Sequence, residues 1–230
     1  MTFQRARTDE QRVQRRQQIL ATAAAMLTEM PVAKLSLNEL SRRTCLAKAN
    51  VLRYFESREA ILLDLLDTEV RAWVTELEGT YPPGTGSPAE RGDRLAEALA
   101  ASMARRPVLC DLLSAQATVL EHNISTELAV RHKHAARESL QSLTEWVGRH
   151  LPELGDGGAA ALVETTLLMA MSAWPCSRPS EAMLAAYDSD PALAAMRMNF
   201  TDLIRRTVAV TSSGLLARRP EAIYDAPGAT

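Results

Sequence analysis

The sequence predicts an all-α protein, with a small N-terminal three-helix head and a larger helical body. Three observations carry this. Ala and Leu dominate an apolar fraction of 47%, and aromatic residues make up only 4% of the chain. Ala and Leu favour helices, whereas aromatic and β-branched residues favour strands. Apolar residues recur at three- and four-residue spacing between Ser or Thr caps and Pro or Gly stops. No convincing strand pattern and no internal repeat appear.

The elements follow in order. Thr8, Asp9, Glu10 and Gln11 form a capping-box pattern. Behind it Ile19, Ala23, Met26, Leu27 and Met30 keep helical spacing until Pro31. Arg5, Arg7, Arg12, Arg15 and Arg16 crowd the front of this helix. Ser36 to Glu39 is a second capping box, opening a short helix that turns Leu37 and Leu40 inward and ends near Arg43. The next helix is expected over about 47–55, which leaves Thr44, Cys45 and Leu46 as the connection. Two short helices so joined are the helix-turn-helix pattern.

Ser57 caps a long helix carrying Ile61, Leu62, Leu65, Leu66, Trp73, Val74 and Leu77, broken by the Pro- and Gly-rich stretch 81–88. Ser87 followed by Pro88 restarts helix through Leu95, Leu99 and Met103. Pro107 begins another piece to about 121, and Ser125 caps a helix to about His150. Residues 159–174 are nearly all apolar, and Pro175, Pro179 and Pro191 punctuate an irregular stretch. A last helix is expected over about 192–217. Domains are expected at 1–57 (head with basic arm), 58–218 (body) and 219–230 (flexible tail).

The net charge of −2 conceals an asymmetry. Residues 1–60 carry 11 basic and 6 acidic side chains, or +5; the remaining 15 basic and 22 acidic give −7. A basic head on an acidic body suits a polyanion at the head alone, though ordinary charge scatter is the plainer alternative. No uninterrupted run of 18 apolar residues appears, so no membrane span is expected. The polar N-terminus lacks the apolar region of a secretory signal, and Asp9 and Glu10 oppose a mitochondrial presequence. Three scattered cysteines, Cys45, Cys110 and Cys176, suit reduced thiols. A cytoplasmic protein is expected.

In the third helix Val51 and Phe55 face inward, and Ala49, Asn50, Leu52 and Arg53 face outward. Asn pairs bidentately with adenine, and Lys or Arg with guanine, so this face suits the major groove. A solvated face of a plain three-helix bundle is the equal alternative on these residues alone.

Residues 37–61, LNELSRRTCLAKANVLRYFESREAI, resemble the DNA-binding region of TetR-family transcriptional regulators. Arg16 to Leu27 resembles that family's first helix, and the junction Tyr54, Phe55, Ser57, Arg58, Ala60, Ile61 follows its pattern. The likeness covers about residues 12–66. The chain departs from the family at the turn, where Cys45, Leu46 and Ala47 stand for Gly-Val-Ser, and in the recognition helix, where Ala49 and Leu52 stand for Gly and Tyr.

The resemblance implies that Ser36, Tyr54 and Arg58 anchor phosphates and that Lys48, Ala49, Asn50 and Arg53 face the groove. It implies a homodimer on a palindromic double-stranded operator, and repression relieved by a small, largely apolar ligand of unknown identity. The dimer surface is expected on helices 159–174 and 192–217, through Ala161, Thr165, Phe200, Leu203, Ile204, Val208 and Thr211. The ligand pocket is expected to draw on Trp73, Met103, Cys110, Leu113, Gln116, Met169 and Trp174. No cofactor is expected, nor a metal, because His132 and His134 stand about 200° apart on a helix. No nucleophile or phosphate-loop motif points to catalysis. An all-helical enzyme, or a small-molecule binder without a DNA role, is the alternative.

Overall fold

The computed structural model describes the backbone of residues 2–218 and the side chains from Glu10 onward. The tail expected over 219–230 lies outside the described residues. The described residues are helical and contain no strand. The head comprises α1 (Thr2–Glu29), α2 (Leu37–Thr44) and α3 (Lys48–Val51). The body comprises α4 (Arg58–Thr80), α5 (Pro88–Ala104), α6 (Pro107–Ala115), α7 (Thr126–His150), α8 (Gly155–Cys176), α9 (Glu181–Ser189), α10 (Pro191–Ala194) and α11 (Phe200–Ala217).

Local chemistry sets most of the starts. Ser57, Ser87 and Ser125 each accept a backbone N–H from the third residue on, which satisfies one orphan donor of the first turn. Ser87 and Glu90 form a complete reciprocal box with Pro88 at the first helical position. At α2 only half the box forms: Ser36 accepts from Glu39 N–H, but the Glu39 carboxylate turns to Arg42 and Arg43.

Four boundaries differ from expectation. Helix α1 already runs from Thr2, so Thr8 lies inside it rather than at its start. Helix α3 is one turn long and continues as tight turns through Tyr54 and Phe55, whose N–H groups both reach the Val51 carbonyl. Helix α6 passes into a wider π-helical turn over Gln116–Leu120. The last helix starts at Phe200, because the Asn199 side chain caps it by accepting from Asp202 N–H. The stretch before it, expected to be irregular, holds α9 and α10.

Helix α8 is the axis of the body, packed on α6, α7 and α11. The segment Pro152–Cys176 is long and apolar enough to cross a membrane by composition. Here it is a core helix that buries Leu162, Val163, Thr166, Ala170 and Ala173. The most extensive helix pair is α5 with α11. Gly92 permits its closeness, since a Cβ there would stand 3.3 Å from Ser212 Oγ. The α9–α10 segment is the exception to this packing: no residue from Pro175 to Asn199 is buried except as a half-buried margin.

Candidate DNA-binding head and effector cavity

Ile19, Ala23 and Met26 of α1, Leu40 of α2, and Val51 and Phe55 form the small core of the head, each no more than 3% exposed. The turn between α2 and α3 bends at Cys45, which holds the left-handed conformation with φ 54° and ψ 34°. This is where the family's glycine would stand, and a non-Gly residue there costs on the order of 1–2 kcal/mol. The fold tolerates it because Cys45 N–H and Leu46 N–H both bond back into α2.

This core fixes what points outward. Lys48, Ala49, Asn50, Leu52 and Arg53 are exposed, Ser36 is exposed at the foot of α2, and Tyr54 is half-buried. Among the described residues Lys48, Asn50 and Arg53 have no side-chain partner, so their polar groups are uncommitted. Several other cations of the head are engaged. Arg43 pairs with Glu29 and Glu39, and Arg42 with Glu39.

Those bonds, from Arg42 and then Arg43, pull the Glu39 carboxyl down from 4.5 to about 2. Its folded value lies below its unfolded one. The stabilisation is therefore fully present above pH 4.5 and is lost as pH falls through about 2. Glu39→Gln should melt below the wild type at pH 7, by a small margin for so exposed a cluster. That gap should close as pH falls from 4.5 to about 2; a gap unchanged across the range would contradict the assignment.

Arg16 and Arg58 tie the head to the start of α4. Arg16 lies over the Phe55 ring, 4.2 Å from its centroid. It donates to the Tyr54 carbonyl at 2.5 Å and pairs with Asp64 of α4. Burial pushes the Asp64 carboxyl up, and Arg16 opposes that shift. Arg58, expected to meet a phosphate, instead donates to the Val32 carbonyl at 2.6 Å and faces Glu59 at 3.3 Å. It is drawn inward because Val32 sits in the connection that follows α1, directly beside the start of α4. Val32 N–H in turn donates to Asp111 of α6 at 2.6 Å. Beyond the recognition turn, Glu56 receives Ser125 N–H at 2.6 Å and the Ser125 hydroxyl at 2.8 Å. These two bonds hold the Glu56 carboxyl below the usual range, and they place a carboxylate at the N-terminus of α7, where the helix dipole favours it.

Between α4, α6, α7 and α8 lies a small, partly open cavity of about 120 Å³. Leu66, Val70, Trp73, Leu113, Leu143, Leu167 and Met171 make its apolar wall, and Asp67, Gln116, His132 and Ser139 its polar end. His132 is 2% exposed. Its Nδ1 meets Asp67 Oδ1 at 2.8 Å and its Nε2 meets Gln116 Nε2 at 3.2 Å. An acceptor-only carboxylate fixes the proton on Nδ1, so Nε2 accepts from the Gln116 amide. Gln116 also donates to Glu121 at 2.9 Å, which Lys133 reaches at 2.7 Å. Wider depressions, about 730 Å³ beside Gln141 and Arg149 and about 640 Å³ beside Arg178 and Arg197, open onto solvent.

The structure thus brings Trp73, Leu113 and Gln116 of the expected pocket together and separates the rest. Met103 and Cys110 pack on each other where α5 meets α6, and burial pushes the Cys110 thiol up to about 12. Trp174 lies at the far end of α8, edge-on to Phe200 with Arg178 over its ring. Met169 lies half-buried beside the lining residue Met171 on α8. His132 and Asp67, unassigned in the sequence reading, take the places at the polar end. His134 is exposed while His132 is buried.

The dimer expectation needs a similar correction. Phe200, Ile204 and Val208 are buried within their own subunit, because the i, i+4 stripe of α11 faces α5 and α8. Leu203 and Thr211 of α11, and Ala161 and Thr165 of α8, stay partly exposed. Near them stand Leu168, 57% exposed, and Val210, 66% exposed.

A helix-turn-helix with an uncommitted polar face, tied to a helical body that holds a small cavity, is an arrangement suited to a DNA-binding regulator. A family profile described as the tetracyclin repressor-like C-terminal domain matches residues 67–219. The chain belongs to the TetR family of transcriptional regulators. No curated protein matches it by sequence. Among solved structures it is similar to a TetR transcriptional regulator from Rhodococcus sp. RHA1, with 16% identity, TM-score 0.60, and coverage of 91% of this chain and 99% of that one. It is also similar to a possible TetR family regulator from Streptomyces coelicolor A3(2), with 19% identity, TM-score 0.56, and coverage of 88% and 98%. The fatty acid degradation regulator FadR from Bacillus halodurans gives 14% identity, TM-score 0.54, and coverage of 86% and 98%. At these identities the likeness concerns the fold.

Proposed function

We propose that the protein is a cytoplasmic repressor that binds a palindromic operator as a homodimer and leaves it when a small, largely apolar ligand enters the cavity. The observation that carries this reading is the joint exposure of uncommitted Lys48 and Asn50 on α3 and Arg53 just beyond it, while Arg16, Arg42, Arg43 and Arg58 are all held within the protein. Ser36 and Tyr54 contact phosphates; Arg58 orients the Val32 turn. The homodimer forms through the outward faces of α8 and α11, with Leu168 and Val210 added to Ala161, Thr165, Leu203 and Thr211. A single head reads only a few base pairs, and a two-fold pair reads half-sites roughly 34–36 Å apart or a multiple of that.

The ligand signal has short routes to the head. Asp67, Val70 and Trp73 stand on α4, which begins three residues beyond Phe55. His132 and Ser139 stand on α7, whose first turn is bonded to Glu56. Linkage requires that operator weaken ligand binding by the same factor as ligand weakens operator binding.

Selection of operators from a random DNA pool with the full-length protein tests the reading, and it should return a palindrome. On that palindrome Asn50→Ala should relax discrimination at one base position by about 1–3 kcal/mol and leave the other positions unchanged. Equal weakening on every operator variant would remove Asn50 from base reading.

A further inference from the structure

Asp67 lines the cavity between α4, α6, α7 and α8, and only half of its carboxylate is engaged. Its Oδ1 meets His132 Nδ1 at 2.8 Å, while its Oδ2 has no hydrogen-bond partner among the described residues. His132 brings no compensating charge, because its Nδ1–H donates to Asp67 and its Nε2 accepts from the Gln116 amide. Among the described residues no Lys or Arg pairs with Asp67: Lys133 is bound to Glu121, and Arg16 to Asp64. The polar end of the cavity therefore holds one negative charge without a counter-charge. The Asp67 side chain is only 14% exposed, so a cation bonded to it gains more than one at an open surface.

The shape of the cavity sets what must accompany that cation. Helix α7 lines it from His132 through Ala136 and Leu140 to Leu143, a span of roughly 16 Å at 1.5 Å per residue. Asp67 and His132 stand at one end of this span, and Leu140 and Leu143 lie towards the other. Leu140 is 42% exposed, so the cavity opens beside it. The volume of about 120 Å³ equals about four water-sized groups, enough for an ammonium and about three carbons. A longer chain continues outward past Leu140.

We propose that the cavity binds a primary alkylamine as its ammonium, with the head on Asp67 Oδ2 and the chain directed towards Leu140. This rests on the reading of the cavity as the effector site. An alcohol of the same length can donate to Asp67 Oδ2 but brings no charge. A carboxylate of that length would meet Asp67 with like charge.

Calorimetric titration of the full chain without DNA, using n-hexylamine, 1-hexanol and hexanoate at neutral pH, tests the proposal. Hexylamine should bind at least about 10-fold tighter than hexanol, the step between a charge-assisted and a neutral hydrogen bond, and hexanoate weakest. Asp67→Asn keeps an acceptor for His132 Nδ1–H but turns the outer oxygen into a neutral donor. It should bring hexylamine down to the level of hexanol and strengthen hexanoate. Ala136→Leu fills the wall without touching the charge, and should weaken hexylamine and hexanol alike. Hexanol or hexanoate binding tighter than hexylamine would overturn the ligand class. So would hexylamine binding that survives both variants, or no binding of any probe. If Asp67→Asn does not fold, the order of the three probes on the wild type decides. Operator affinity is measured separately: hexylamine that binds but leaves it unchanged removes the effector role and keeps the ligand class.

Discussion

Arg16→Ala is expected to weaken operator binding by roughly 10- to 30-fold, although Arg16 does not belong to the exposed face of α3. The guanidinium joins three elements at once: the Phe55 ring, the Tyr54 carbonyl and the Asp64 carboxylate. Removing it leaves Asp64 partly buried and unpaired. Breaking a fully buried pair costs about 3–5 kcal/mol. The side chains here are 36% and 24% exposed, so the value is discounted to about 2 kcal/mol with the cation–π contact included. If that cost falls on the seated orientation of α3, the competent fraction drops by the stated factor. Arg16→Lys keeps the charge but loses the planar fork, and should fall between. Fluorescence anisotropy on the selected operator reads the effect; a loss below about 3-fold would show that the clasp does not orient the head.

The second large effect is expected at the polar end of the cavity. Asp67→Ala strands the Nδ1–H of a histidine that is 2% exposed. It should cost about 2–3 kcal/mol of stability, the desolvation of an unpaired buried donor plus lost packing. His132→Leu alone should cost about as much, because it leaves the Asp67 carboxylate with no partner. Asp67→Ala combined with His132→Leu should recover a large part of the loss, since two apolar groups replace a buried polar pair with little penalty. Denaturant unfolding of the four proteins closes the cycle. Additive single and double losses would mean that the two side chains do not act as a pair.

The outward face of α3 was legible because Val51 and Phe55 lie four apart and a helix has one inside. The clasp beneath it was not, because its partners are 38 and 48 residues distant. A local signal was nevertheless present: Arg16 stands in line with Ile19, Ala23, Met26 and Met30, so it lies on the buried stripe of α1. His132 and Ser139 carry the same signal in line with Leu128, Leu143 and Trp146 on α7. A polar residue on an apolar stripe must find a partner. Choosing pocket residues by type alone selected Met103, Cys110 and Trp174, which the packing sends elsewhere. For α11 the sequence supplied a stripe without saying which neighbour it meets, and that neighbour is the protein's own α5.

The stretch from Pro175 to Asn199 contributes no buried residue to the body, yet α11 beyond it is seated on α5 and α8. The chain is therefore joined there by a covalent tether whose loss removes little of the core. Local opening of such a segment requires far less free energy than global unfolding, and exposed stretches of this kind are where proteolytic nicking concentrates. A cut inside it would leave a two-fragment protein in which the C-terminal helix remains docked by contact alone. Limited digestion should then give two bands under denaturing conditions that migrate as one species under native conditions.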